Sequence, residues 1–403
     1  MGHIAQEAVL PAFANAKKNS QLVAFVSDDP LKHQKLGKKY GVQRHYSYAR
    51  YDECLNSGEI DAVYIALPNH LHHEYTIRAA EAGIHVLCEK PLAVTGRHCE
   101  EMILACKENG VKLMTAYRLH FEETNLEAIE LLRSGKIGEP QIFNSLFSFQ
   151  VREGDIRAGR ETGGGKLYDI GVYCINAARY LFRDEPIEVF ASSISGLDAR
   201  SKDVDAISSV IMRFPKNRIA TFTTSFASSD IGLYTVLGTK GNLKVNMAYE
   251  YSGELEMQWT VNGKTKKSTT SKRDQFGAEL VYFSDCILRN KEPEPSGKEG
   301  LIDVQIVEAL YKSARAYKPI KISAPEKRRR PSLKQKIQRP ASKKKSKLVR
   351  VRARFRNERT APINLNSAAC RIALWSKSHK PPISEIRFLG FQTQQPIPTS
   401  ASL

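Results

Sequence analysis

Asp61 to Pro91 reads DAVYIALPNHLHHEYTIRAAEAGIHVLCEKP, and two periodicities alternate within it. DAVYIALP is an unbroken apolar run that stops at Pro68. NHLHHEYTIRAAEAG repeats its apolar positions at helical spacing and stops at Gly83. IHVLCEKP is a second apolar run, ended by Pro91. Strand, helix and strand in this order form a crossover unit, which requires the two strands to be parallel.

The same grammar extends in both directions. QLVAFVS (21–27) and KLMTAY (112–117) are further strand-like runs, and helical patterns cover roughly 3–18, 30–40 and 96–109. Residues 1–118 therefore read as an α/β unit on a parallel sheet. The chain opens directly on a helix, so a strand that would precede this helix is read as missing. From Phe121 the pattern changes: a helix (122–135), a strand-like run (141–151), a polar Gly-rich loop and a helix near 167–183. Six alternating strands follow, with short turns at Gly241-Asn242 and Asn262-Gly263, then helices at 274–290 and 298–317. Sequential strands with tight turns indicate an open, mainly antiparallel sheet, so 119–323 reads as an α+β unit. Residues 324–403 lack either periodicity and are expected to be a disordered basic tail.

The 403 residues carry 61 Lys+Arg and 43 Asp+Glu, a net charge of +18. Residues 326–403 hold 20 of those bases and only three of the acids, leaving 41 bases against 40 acids in 1–325. The polyanion partner that the total suggests thus has a claim only on the tail, where RRR (328–330), KKK (343–345) and VRVRARFR could neutralise phosphates. Few aromatics accompany them and no reading motif does, so nucleic acid is not the expected partner. Seven scattered cysteines without a CxxC pair point to reduced thiols and to no zinc site. No apolar run is long enough to span a bilayer and the N-terminus lacks a signal-peptide pattern, so a cytoplasmic protein is expected.

Four constellations could carry chemistry. Gly2-His3-Ile4-Ala5 opens a helix and fits the second and third small positions of a dinucleotide fingerprint, whose first glycine would lie before Met1. Leu67-Pro68-Asn69 end a strand, and the carboxyl ends of parallel strands are where such sheets bind ligands. His70, His72 and His73 follow, but His72 and His73 project about 100° apart on a helix, and no metal site is expected. Glu89-Lys90-Pro91 places a lysine at another strand end, where it could donate to a substrate oxygen. Last, Asp169, Tyr173 and Asn176 follow three glycines (163–165) at i, i+4, i+7 spacing, which lines them along one helical face. The glycines would let the backbone approach a ligand closely.

These pieces, as GHIA (2–5), AVYIALPNHLHHEY (62–75), AGIHVLCEKPLA (82–93) and GGGKLYDIGVYCINAARYLF (163–182), with the closing GLIDVQIVEALYKSARAYKPIKI (300–322), resemble the Gfo/Idh/MocA oxidoreductases. Within that family they are most similar to the glucose–fructose oxidoreductase-like branch. The resemblance covers residues 2–323. It implies a Rossmann domain, a C-terminal α+β domain serving homo-oligomerisation (dimer or tetramer), and hydride transfer between a nicotinamide and a CH–OH or C=O group of a sugar or polyol. It assigns Lys90, Asp169 and Tyr173 to catalysis. It assigns Gly2, Ile4, Ala5, Leu67, Pro68, Asn69, His72, Glu89, Lys90 and Arg118 to the cofactor. Ser27 and Lys32 match an S-x-x-x-x-K pattern that holds the ribose phosphate of NADP, whereas Asp28 between them favours the free hydroxyl of NAD. NADP is the expected cofactor and NAD the alternative. A catalytically impaired NADP-binding protein, or nucleic-acid binding through the tail, are the competing functions.

Overall fold

The computed structural model describes residues 2–196, 204–251, 253–271, 273–323, 330–335 and 386–390. The chain begins with a helix whose first part, Ala5–Val9, has π geometry and which continues as α1 (Leu10–Ala16). β1 (Ser20–Val26), α2 (Pro30–Tyr40), β2 (Arg44–Tyr46), α3 (Tyr51–Leu55), β3 (Ala62–Ile65), α4 (His72–Glu81), β4 (His85–Glu89), α5 (Gly96–Glu108) and β5 (Leu113–Ala116) follow. Local chemistry sets the helix ends. Asp29 caps α2 by accepting the Lys32 amide, Pro30 occupies its first turn, and Gly41 closes it in the left-handed region at φ 72°. Thr95 caps α5 in the same way through the His98 amide.

The second half runs α6 (Glu123–Arg133), β6 (Pro140–Ser148), α7 (Val172–Phe182), β7 (Glu188–Ser195), β8 (Asp205–Phe214), β9 (Arg218–Ser225), β10 (Ile231–Gly238), β11 (Gly241–Asn246), β12 (Leu255–Val261), β13 (Lys264–Thr270), α8 (Gln275–Leu288), α9 (Gly297–Ala316) and β14 (Ile320–Lys321). Its nine strands form one open sheet in the order β13-β12-β11-β10-β6-β9-β8-β7-β14, antiparallel except for the parallel β6–β9 pair. The inner face of this sheet buries Phe143, Val210, Phe222, Tyr234 and Val245 against α7 and α9. The two late helices serve both sheets. α8 packs Phe276, Leu280 and Phe283 with α1 on one face of the parallel sheet. α9 contributes Leu301 and Val304 to the other face, and Ile302 and Ile306 to the core of the open sheet.

The parallel sheet has six strands, and the sixth, β15 (Ile386–Gly390), comes from the far end of the chain. The order is β2-β1-β15-β3-β4-β5, with β15 parallel to both neighbours. The place of the strand read as missing before Met1 is therefore filled, at residues expected to belong to a disordered tail. That expectation fails at 386–390 because this short segment carries its own buried pattern. Phe388 and Leu389 are fully buried on opposite faces; the Phe388 ring meets Phe13 and Phe283 with centroids 5.7 and 6.0 Å away. Arg387 grips Asp61 with its fork, Nε–Oδ2 at 2.9 Å and Nη2–Oδ1 at 3.0 Å. Segment 330–335 also docks, Arg330 donating to Glu185 at 2.7 Å. Of the tail expectation, 324–329, 336–385 and 391–403 lie outside the described residues.

A core leucine or phenylalanine truncated to alanine costs about 2–5 kcal/mol. Leu389→Ala and Phe388→Ala should each lower stability to urea by an amount in that range. Unfolding midpoints equal to wild type would show that 386–390 does not occupy the slot between β1 and β3.

Candidate active site

The carboxyl ends of the parallel strands converge on one crevice, which the start of α7 and its preceding loop close from the other side. Lys90, immediately after β4, crosses this crevice. Its Nζ donates to Oδ1 of Asp169 at 2.9 Å and to the Asp169 backbone carbonyl at 2.7 Å. Burial works against the charge on both side chains, but each supplies the other's compensation. The carboxylate holds Lys90 above the usual lysine value, and Lys90 together with Arg157 holds Asp169 below the usual carboxylate value. Tyr173, one turn on, offers its ring face to two cations: Lys90 Nζ lies 4.8 Å from the ring centroid and the Arg118 guanidinium carbon 5.0 Å. The structure thus brings the three residues assigned to catalysis together.

Asn176, grouped with them by helical spacing, is elsewhere. Its amide donates to Glu299 at 2.7 Å and Asp303 at 2.9 Å, and its oxygen meets His120 at 2.8 Å. These groups surround the fully buried Arg179, which also pairs with Glu299 and Asp303. Residues 167–171 form a π turn, whose extra residue rotates the following helix relative to a plain 3.6 repeat.

The residues assigned to the cofactor divide into two groups. At the end of β1, Ser27 Oγ accepts the Asp29 amide at 3.1 Å, Asp28 Oδ1 accepts the Tyr48 amide at 2.8 Å, and Lys32 pairs with Asp29 at 3.3 Å. Gly2 accepts the Gln6 amide at 3.2 Å at the opening of the first helix, where Ile4 is half-buried and Ala5 buried. After β3, Leu67 and Pro68 are buried and Asn69 donates to the Gly163 carbonyl at 2.9 Å, which ties this turn to the loop across the crevice. This row of strand ends, with lysines at two of them, fits a dinucleotide bearing phosphates at one end and a reacting ring at the other.

The second group holds the site from behind. His72 is fully buried, its ring nitrogens 2.9 Å from the Pro91 carbonyl and 3.0 Å from the Leu67 carbonyl, so it pins the turn after β3 to the turn carrying Lys90. Glu89 accepts from the Tyr64 hydroxyl at 2.8 Å. Arg118 is buried and three of its donors go to the Tyr249 carbonyl, Gln275 Oε1 and the Glu250 carbonyl.

The glycines have a use within the protein itself. A Cβ on Gly163 would stand 2.3 Å from Val94 Cγ1, one on Gly164 2.5 Å from the Arg157 carbonyl, and one on Gly165 2.6 Å from the Tyr311 hydroxyl. Their bareness thus serves the packing of the protein on itself. Three neighbours of the site escaped the sequence reading. Tyr64 looks like any strand residue, Arg157 lies in an unpatterned loop, and Glu279 sits on an apolar helix. Glu279 is fully buried, and burial and the nearby Glu89 push its carboxyl far above the usual range. A polar residue at a helix position that should be buried was the available signal for it.

Away from the crevice, His73, His98 and Glu101 place ligand-capable atoms within 4.8 Å of one another. The two imidazoles are stacked, centroids 4.3 Å apart and 23° from parallel, so their lone pairs do not converge on one point. Glu101 is already bound by Arg97 and His73 at 2.9 and 2.7 Å. No described helix is long and apolar enough to cross a membrane.

Comparison with known proteins agrees with this geometry. Residues 1–117 match the family model described as oxidoreductase family, NAD-binding Rossmann fold, and residues 125–244 match that of the GFO/IDH/MocA C-terminal domain. The chain is 29% identical over 315 residues to D-xylose 1-dehydrogenase (NADP(+)) 2 of Haloferax volcanii, covering 77% of this chain and 94% of that protein. It is 32% identical over 320 residues to an uncharacterised oxidoreductase of Rhizobium meliloti, with the same coverage of 77% and 94%. Among solved structures, the aldose–aldose oxidoreductase of Caulobacter crescentus complexed with glycerol superposes with a TM-score of 0.76 at 37% identity, over 80% of this chain and 97% of that one.

Burial lowers the His72 imidazole to about 4 from an ordinary value of 6.5. Between those values the unfolded chain binds a proton that the folded one refuses, so stability is full above pH 6.5 and falls as the pH drops toward 4. The loss from this residue is about 3 kcal/mol. Urea unfolding at pH 7 and pH 4.5 should show a shallower acid loss in His72→Asn than in wild type. Equal losses would exclude His72 as a contributor.

Proposed function

The chain belongs to the Gfo/Idh/MocA oxidoreductases, and on that premise we propose that Lys90, Asp169 and Tyr173 carry out the proton chemistry of hydride transfer between a nicotinamide cofactor and a sugar. The protein is an NAD(P)-dependent oxidoreductase acting on CH–OH groups. The contact between Lys90 and Asp169, made across the crevice beside the Tyr173 ring, carries this assignment of roles. A nicotinamide bound at these strand ends would supply the acceptor for the hydride of the sugar carbon, or its donor in the reverse direction.

The residues of the chain do the rest. Tyr173, acting as its phenolate beside the Lys90 and Arg118 cations, takes the proton that leaves the substrate hydroxyl and becomes the neutral phenol as the substrate carbon becomes a carbonyl. The Lys90 ammonium, kept charged and aimed by Asp169, stabilises the negative charge that develops on that oxygen as the proton leaves and before the hydride has gone. Asp169 remains a carboxylate because two cations face it, so it can accept from a further substrate hydroxyl. His72, Asn69 and the glycine loop hold these groups in register.

NADP is the preferred cofactor in this reading. Ser27 follows the end of β1 and Lys32 lies in the first turn of α2, beside the place where the ribose lies in such sheets. Asp28, the residue that argues for NAD, has a carboxylate oxygen engaged by the Tyr48 amide, and the Haloferax volcanii relative is named for NADP. The outer face of the open sheet supports a homo-oligomer. Leu237, Ile142 and Ile219 form one row across β10, β6 and β9, each 43–44% exposed. An apolar patch of this kind on a sheet face marks an association surface. Sedimentation should give a mass of two or four chains, and Ile142→Glu with Ile219→Glu should reduce it.

Absorbance at the nicotinamide band should rise when the protein, NADP and an aldose such as D-xylose or D-glucose are mixed. Lys90→Ala should lower kcat by about 10²–10³-fold, with the NADP dissociation constant changed by only a few-fold. Turnover unaffected by that substitution would remove Lys90 from the chemistry.

A further inference from the structure

Arg157 lies in the loop that leads from β6 to the π turn. Its backbone is clamped: the Arg157 carbonyl accepts the Gly165 amide at 2.8 Å and the Gly159 carbonyl accepts the Gly164 amide at 2.9 Å. Its side chain points to the catalytic pair. Nε stands 3.6 Å from Asp169 Oδ2 and Nη1 3.9 Å from Asp155 Oδ2, and the guanidinium carbon lies 5.6 Å from the centroid of the Phe149 ring. These separations are long enough for attraction and too long for hydrogen bonds. Among the described residues the guanidinium makes no hydrogen bond, and the side chain is 38% exposed.

The other cations of the site differ. Lys90 is committed to Asp169, and the buried Arg118 has three of its five N–H donors on Tyr249, Gln275 and Glu250. Arg157 alone combines a fixed backbone, a carboxylate that aims it and five unspent N–H donors in a planar fork. That fork matches two neighbouring oxygens. We propose that Arg157 grips the substrate, donating to two adjacent oxygens of a sugar held over Lys90 and Asp169, and so selects ligands oxygenated next to the reacting carbon. Asp169 then has two tasks, one oxygen on the catalytic lysine and the other steering the gripping arginine. The inference rests on the sugar-oxidoreductase reading above.

Binding without turnover tests it. Calorimetric titration of D-glucose or D-xylose into the protein–NADPH complex should show affinity falling about 10–100-fold in Arg157→Ala, the size of a lost charged hydrogen bond. KM should rise by a similar factor with kcat less affected, and NADPH affinity by fluorescence should stay at the wild-type value. Arg157→Lys, which keeps the charge and loses the fork, should recover part of the affinity. In a panel of monodeoxy glucoses, one position should cost wild type affinity and cost Arg157→Ala nothing. Sugar affinity and KM unchanged in Arg157→Ala would overturn the proposal. So would a joint loss of sugar affinity, NADPH affinity and thermal stability, which would mark a collapsed loop. Wild type that binds sugar and does not oxidise it would defeat the assigned reaction and leave the grip to be judged on the calorimetry. Wild type that binds no sugar would defeat both.

Discussion

One ion pair, Lys90 with Asp169, is the contact on which the site depends. A lysine at the end of a parallel strand would normally extend into water. Here it is largely buried, its side chain 11% exposed, and an uncompensated ammonium in that place would cost several kcal/mol. The compensation comes from the other half of the chain, through a carboxylate and a backbone carbonyl at the same helical turn. The two sheets are therefore locked at the point where chemistry occurs, and both charges persist through the neutral range. A crevice built this way presents a fixed ammonium and a fixed carboxylate before any ligand arrives, so little reorganisation remains for the reaction itself.

That pair holds its geometry because the turns on either side of it are over-determined. His72 joins the turn after β3 to the turn after β4, and Asn69 joins the former to the glycine loop. The loop is pressed so closely against 157–159 that a methyl group at Gly164 would overlap a carbonyl oxygen. Behind the lysine, Glu89, Tyr64 and Glu279 form an acidic layer in which burial and the neighbouring Glu89 raise the Glu279 carboxyl far above the usual range.

Elements with a strong apolar period were legible from residues alone. DAVYIALP, IHVLCEKP and the helices between them were readable because strands buried on both faces cannot be anything but apolar. The alternating strands of the open sheet were readable because one face is wet. β13, KTKKSTT, was not, since an edge strand with both faces near water carries no alternation. β15 was invisible for another reason: five residues give too short a period to register within a long basic stretch. In the site, motif and spacing found Lys90, Asp169 and Tyr173. Spacing also enlisted Asn176, because a π turn cannot be seen in a sequence. Arg157 needed three dimensions, since its importance comes from Asp169, twelve residues on and across a loop.

The net charge of +18 also changes meaning once the chain is folded. The body is close to neutral, yet it buries individual acids wholly or in part, and the basic segment reaches two of them. Arg387 satisfies Asp61 with a two-pronged contact at the edge of β3, and Arg330 shares Glu185 with the buried Arg179. Both arginines lie within segments that dock on the body, so their charges are spent inside the molecule. Asp61 is itself almost fully buried, and without Arg387 it would have to be neutralised in some other way. A count of bases cannot distinguish such intramolecular partners from a phosphate backbone. The ion pairs that those bases make can, and here they point the described parts of the basic segment inward.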